Sequence, residues 1–275
     1  MNDLGIDWQA LDPSILGPAF CAGLLVLATH VPLGREVLKR GIIFIDLAIA
    51  QIAGLGMLTA QIHDWRLGGW GVQLTAAGSA LLGALLLGWL DSHWPKVQEA
   101  LIGIIFVLAA TASLLLIAHN PHGGEHIKEL LSGQILWVGW SQLIPVAALY
   151  ALLLALWFGL PRLRGGAGFY LIFALAITAS VQLVGVYLVF TSLIVPALAA
   201  TGRVQWRALG LAWLIGAVGY ALGLLASALA DLPSGPAIVW SIAVSALLIG
   251  YLLRSEPLDR ADTVDPARVR PETGN

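Results

Sequence analysis

Apolar windows of about twenty residues follow one another along nearly the whole chain, and that pattern decides the medium in which it folds. They run Pro13–Leu33, Gly41–Ile62, Gly69–Leu90, Ala100–Ala118, Gln142–Leu160, Gly168–Ala200, Arg207–Ala230 and Pro236–Leu253. A helix of that length spans a hydrocarbon core of about 30 Å. A spanning segment must satisfy its own backbone hydrogen bonds, and these windows are too long and too continuously apolar for barrel strands. The predicted fold is therefore all-α, a polytopic membrane protein of about eight transmembrane helices. Composition agrees. Hydrophobic residues make up 59% of the chain and charged residues only 11%, against roughly 25% charged in a soluble domain.

The sixth window is too long for one ordinary crossing and holds Gly185 and Pro196. Its tail, from about Ser192, is expected to bend away as a separate short helix. Residues 1–253 read as one transmembrane domain. The rest, 254–275, is polar, carries Pro257, Pro266 and Pro271, and reads as a disordered cytoplasmic tail. The opening MNDLGIDWQALDP has no basic residue, which argues against a cleavable signal peptide, so the first helix is expected to stay. Cys21, the single cysteine, rules out an intrachain disulfide framework. A net charge of -2 and the lack of a basic stripe with interleaved aromatics point away from nucleic acid and leave lipid as the surrounding partner. With both termini inside, eight basic residues fall on the inner side and six on the outer, a slight positive-inside bias.

Asp46 is the one carboxylate well inside an apolar window, GIIFIDLAIAQIAGLGMLTAQI. An ionised carboxylate at membrane depth costs several kcal/mol unless it meets a partner or a wet cavity, so it marks a pathway more often than it packs. Asp46, Ala50, Ala53, Gly54 and Met57 form a stripe of mostly small residues, readable as a pore face or as a close helix-packing seam. Gln51 sits about 140° around the helix from Asp46. In HNPHGGEHIKEL, His122, Glu125 and His126 match an H-x-x-E-H arrangement, but two glycines interrupt the helix such a site needs. A solvated loop is the simpler reading, then a weak cytoplasmic metal-receiving site. His30, His63 and His93 are placed at span ends or in loops, where interfacial histidines are common.

Several stretches in one order resemble the membrane permeases of ABC importers for manganese, zinc and iron. They are the second window with Asp46, QEALIGIIFVLAA from Gln98, ELLSGQILWV from Glu129, VQLVGVYLVFTSLIVPALAATGR from Val181 and DLPSGPAIV from Asp231. The resemblance implies a non-catalytic transport subunit of the bacterial plasma membrane. It implies a homodimer, a separate cytoplasmic ATP-binding subunit, and an extracytoplasmic metal-binding protein. It implies no tightly bound cofactor, the divalent metal ion being cargo. The Pro-Ala-rich element Pro196, Ala197, Ala199, Ala200 and Arg203 would be the coupling helix that docks on the ATPase, and Asp231 would lie on the outer face near the binding protein. Two departures mark a divergent branch. Where the family has a histidine four residues after its aspartate, this chain has Ala50, and a longer family connection is replaced by Pro161–Gly168. Without the imidazole, oxygen ligands favour a harder ion such as manganese. No glycine-rich phosphate loop occurs, so ATP hydrolysis is assigned to another chain. An ion-gradient-driven secondary transporter and a membrane metallopeptidase using HGGEH are the alternatives.

Overall fold

The computed structural model describes residues 11–62, 70–118 and 131–252, and within them every regular element is helical. The helices are α1 Pro13–Arg40, α2 Ile45–Ile62, α3 Trp70–His93, α4 Gln98–Ile117 and α5 Trp140–Gly159, followed by α6 Gly166–Val184, α7 Val186–Ala199, α8 Gln205–Ala230 and α9 Ser234–Leu252. Among the described residues, eight of them are long and apolar enough to cross a membrane. The chain forms an all-α, multi-pass membrane protein.

Local sequence sets the ends. Asp12 caps α1 by accepting the Ser14 N–H at 2.8 Å, and Pro13 takes the first helical position, where an N–H would be orphaned anyway. That hydrogen bond favours the ionised carboxyl and holds Asp12 below the usual carboxylate range. At the other end Gly41 turns left-handed, φ 71°, and its N–H closes onto the Val37 and Leu38 carbonyls. Asp231 ends α8 in the same left-handed way, φ 50°, while the Ser227 hydroxyl caps the turn by donating to the Leu232 carbonyl. In lipid there is no hydrophobic drive between helices, so small residues and polar bridges hold the bundle. At Gly34 a Cβ would overlap the Leu193 carbonyl oxygen, so α1 and α7 touch backbone to backbone. The Tyr150 hydroxyl meets Ser180 between α5 and α6, and Ser192 pairs with Tyr220 at 2.9 Å between α7 and α8.

The sixth window breaks earlier than expected. The break is at Gly185, φ 81°, not near Ser192. Only a residue without a Cβ fits there, both for the positive φ and because the Gly133 backbone presses against it. The short helix that follows is α7, and Pro196 lies inside its last turn. α7 runs back toward the end from which α6 came: its start lies beside the start of α9, around Tyr187 and Pro236, and Ala199 lies beside Gly250.

That return changes the expected topology. The ends of α1, α5, α7 and α9 gather at one end of the bundle with the starts of α2, α4, α6 and α8, as the Arg40 to Arg164 carbonyl bond (2.6 Å) and the Phe44 to Glu99 bond (3.2 Å) show. The start of α1, Asp231 and the Ser132–Gly235 contact lie at the other end. The two termini of the described bundle are therefore on opposite sides, a correction to the reading that put both inside. Charge follows the same division. Arg35, Lys39, Arg40, Lys96, Arg162, Arg164, Arg203 and Arg207, all the described Lys and Arg residues, lie at the first end. The positive-inside rule assigns that basic end to the cytoplasm. Arg35, Lys39, Arg40, Lys96, Arg162 and Arg164 thus move from the outer side to the inner one.

Candidate functional site

Asp46 lies in the first turn of α2, closer to the basic end than its place within the apolar window implied, and is 1% exposed. Neither carboxylate oxygen has a hydrogen-bond partner among the described residues. The backbone N–H groups of Asp46 and Leu47 are close to it without forming a well-aligned bond. An ionised carboxylate buried without a donor or a counter-charge is costly, which sets Asp46 apart from the other buried polar residues of the bundle.

A second carboxylate stands beside it. Glu99, in the first turn of α4, accepts the Phe44 N–H through Oε1 at 3.2 Å, while its Oε2 is buried and unpartnered among the described residues. That bond fixes the geometry, since Phe44 immediately precedes α2 and Glu99 opens α4. Three buried carboxylate oxygens without partners among the described residues thus lie where α2 and α4 begin. Sequence reading quoted Glu99 within QEALIGIIFVLAA but gave it no role. Its charge at the very edge of an apolar window resembles an ordinary interfacial residue.

The stripe below Asp46 is a packing surface. Ala50 and Ala53 are 0% and 3% exposed, Gly54 is buried and Met57 half-buried. The side of α2 that faces open space is that of Leu47 and Gln51, which help line a cavity of about 550 Å³ between α2, α4, α7 and α9. Ser113, Tyr187 and Thr191 add hydroxyls to its otherwise apolar wall. Gln51's offset from Asp46 places it on this different, cavity-facing side.

His30 is not at a span end. It is fully buried within α1, its Nδ1 3.1 Å from the Thr29 hydroxyl and its Nε2 without a partner among the described residues. The helical pattern of α1 continues through Pro32 to Arg40, seven residues past the predicted boundary, and so carries His30 into the interior. His93 is exposed, beside Ser92 and the Trp89 carbonyl. No group of three or more His, Cys, Asp or Glu that could hold a metal occurs among the described residues. His63, His122, Glu125 and His126 lie outside them, as does the tail 254–275.

Pro196, Ala197 and Ala200 are buried at the basic end of α7, and Ala199 is half-buried. Arg203 donates to the Ala199 carbonyl at 3.1 Å. The surface beside them is made by Leu198, Val204 and Trp206, which are 58%, 71% and 69% exposed. Asp231 is exposed at the opposite end.

Known proteins share this plan. The model of the ABC-3 family, described as the ABC 3 transport family, matches residues 13–163 and 158–253. Among solved structures, the chain is similar to one from PsaBC of Streptococcus pneumoniae in complex with Fab, with a TM-score of 0.66, 21% identity, and coverage of 86% of this chain and 89% of that one. It is also similar to a metal-chelate type ABC transporter in an inward-facing conformation, with a TM-score of 0.57, 19% identity, and coverage of 86% and 83%.

Proposed function

Because this chain belongs to the ABC 3 transport family, as an integral multi-pass permease subunit of an ABC importer in the bacterial plasma membrane, we propose that the cargo it passes is a divalent transition-metal ion. Membership sets aside the gradient-driven transporter and the metallopeptidase. The subunit is not itself an enzyme. ATP hydrolysis belongs to a separate chain, and a substrate-binding partner completes such importers.

The observation that carries the metal reading is the Asp46–Glu99 pair at the basic end of α2 and α4: Asp46 is buried, Glu99 is half-buried, and three of their oxygens are buried without a partner among the described residues. Charged oxygens in a low-dielectric site offset the dehydration of a divalent cation. An all-oxygen pair favours a harder ion such as manganese over zinc. The working unit in this reading is a homodimer with two ATPase subunits. The segment from Pro196 to Arg203 passes nucleotide-driven motion to the pore, with Leu198 and the adjoining Val204 as exposed contacts, and Asp231 faces the metal-delivering protein outside.

The test is metal-dependent stimulation of ATPase activity in the reconstituted complex, with manganese, zinc, iron and cobalt compared. Stimulation by one or more of these ions is expected. Equal basal activity with and without every one of them overturns the metal assignment.

A further inference from the structure

A second charged site lies at the same end, away from the carboxylate pair. A cavity of about 710 Å³ opens between the end of α1, the end of α5 and the start of α8. Among the described residues, Arg35, Lys39, Arg40 and Arg164 line it with one carboxylate, Glu36, so this described lining carries more positive than negative charge. Two of the guanidinium groups are positioned by contacts other than acids. Arg164 Nε donates to the Trp157 carbonyl at 2.8 Å and its head lies 5.8 Å from the Trp157 and Phe158 ring centres. Arg40 donates to the Arg164 carbonyl and sits 4.2 Å over the Phe169 ring, besides its 3.0 Å pairing with Glu36.

The remaining walls are apolar and reach below the charged rim. Pro32 lies two turns inside the end of α1, and Trp157 and Leu209 lie within the spans of α5 and α8. One flank, α5, is mostly outward-facing, and Phe158 and Leu160 on it are 39% and 52% exposed. Cations above and apolar surface beneath, at the boundary between headgroup and hydrocarbon, match an amphiphile with an anionic head. A soluble protein segment would meet the rim but not the floor.

We propose that this cavity binds the headgroup of an anionic phospholipid of the cytoplasmic leaflet. The phosphodiester sits among Arg35, Lys39 and Arg164, and the acyl chains leave along α5 past Phe158. Basic pockets between transmembrane helices on the cytoplasmic side suit such headgroups. Arginine forks are suited to phosphate oxygens. The site holds the end of α1 to the α5–α6 connection, so a bound lipid stiffens the joint already made by the Arg40 to Arg164 bond.

The experiment uses the full chain in detergent, delipidated and then mixed with equal amounts of phosphatidylglycerol and phosphatidylcholine, with bound lipid counted by native mass spectrometry. Selective retention of phosphatidylglycerol is expected. Arg35→Gln and Lys39→Gln should each lower that retention by about fivefold, the equivalent of about 1 kcal/mol per cation near an anionic lipid. Arg203→Gln, at the same end but outside the cavity, should leave it unchanged, and Arg35→Lys should restore most of it. Lys39 is exposed, so its variant tests the site even if Arg35→Gln does not fold. Equal retention of the two lipids, or retention unaffected by both glutamine variants, overturns the proposal. Displacement of the lipid by millimolar inorganic phosphate makes this a simple anion site and overturns it too. So does loss of ATPase subunit co-purification in Lys39→Gln with lipid retention intact, which reassigns the cavity to protein docking.

Discussion

Replacing Asp46 by Asn separates the two roles a buried carboxylate can have. A structural acceptor loses a bond in the exchange, and an unsatisfied partner left behind costs about 1–3 kcal/mol. Neither oxygen of Asp46 accepts a bond in this structure, so no donor is orphaned. An amide is also cheaper to bury than a carboxylate. The melting temperature of Asp46→Asn should therefore equal or exceed that of the parent. Transport should move the other way, falling at least about tenfold, equivalent to about 1.4 kcal/mol, because the charge that offsets ion dehydration is gone. Glu99→Gln should act in the same direction, and the double variant should lose little beyond the worse single one, since two groups that hold one ion are not additive. The assays are thermal denaturation of the purified protein and uptake of a radioactive metal ion into proteoliposomes holding the assembled importer. Normal uptake by Asp46→Asn, or a clear fall in its melting temperature, would refute the reasoning.

Ala50→His forces an imidazole into a fully packed position, so a fall in melting temperature or expression is expected; a stable variant whose ATPase stimulation shifts toward zinc would instead put the stripe on the ion path. In a Cys21→Ser background, a membrane-impermeant maleimide added to intact spheroplasts should label Ser14→Cys and not Thr201→Cys; identical labelling of both would return the termini to one side. Gly185→Ala should destabilise the bundle by about 1–3 kcal/mol, because the new Cβ meets Gly133 and the φ of 81° is strained for alanine; an unchanged melting temperature would mean that the α6–α7 joint relaxes freely. Ala199→Glu should leave the protein in the membrane but uncouple it from its ATPase, and wild-type co-purification of the ATPase with normal transport would remove the Pro196–Arg203 segment from that role.

What sequence conveys depends on how far each feature reaches. The spans were legible because hydropathy is a local, additive property of about twenty consecutive residues. Asp46 stood out for the same reason, as a charge surrounded by apolar neighbours. Glu99 did not, because its significance comes from a contact across 55 positions with the Phe44 N–H and from nearness to Asp46, and neither leaves a mark on the residues beside it. His30 was misplaced because its window was closed at Leu33, only three residues on, whereas α1 runs unbroken to Arg40. The direction of α7 was invisible. A Pro inside a long window suggested the break near Ser192, whereas the break came where a glycine could take a positive φ against a second glycine 52 positions away. Side assignment then failed by inheritance, since one unrecognised return inverts every loop before it.

The return also lays α7 alongside α9, between the cavity and the basic end. Its first turns, with Tyr187 and Thr191, border the cavity that Gln51 lines from α2. Its last turn carries Leu198 to the exposed surface at the basic end, about 20 Å away for fourteen residues at 1.5 Å each. Along that length it is clamped by the Gly34 backbone contact and by the Ser192–Tyr220 bond, so it can shift as a rod more readily than it can bend. If an ATPase displaces Leu198, a rod of this kind would carry the movement to the cavity wall, with Gly185 as the joint to α6. Tyr220→Phe removes one clamp and leaves the ring packed on Gly23. If α7 transmits the stroke, this variant keeps its ATP hydrolysis but moves less metal per ATP. A proportional fall in both rates would show that α7 is only a structural strut.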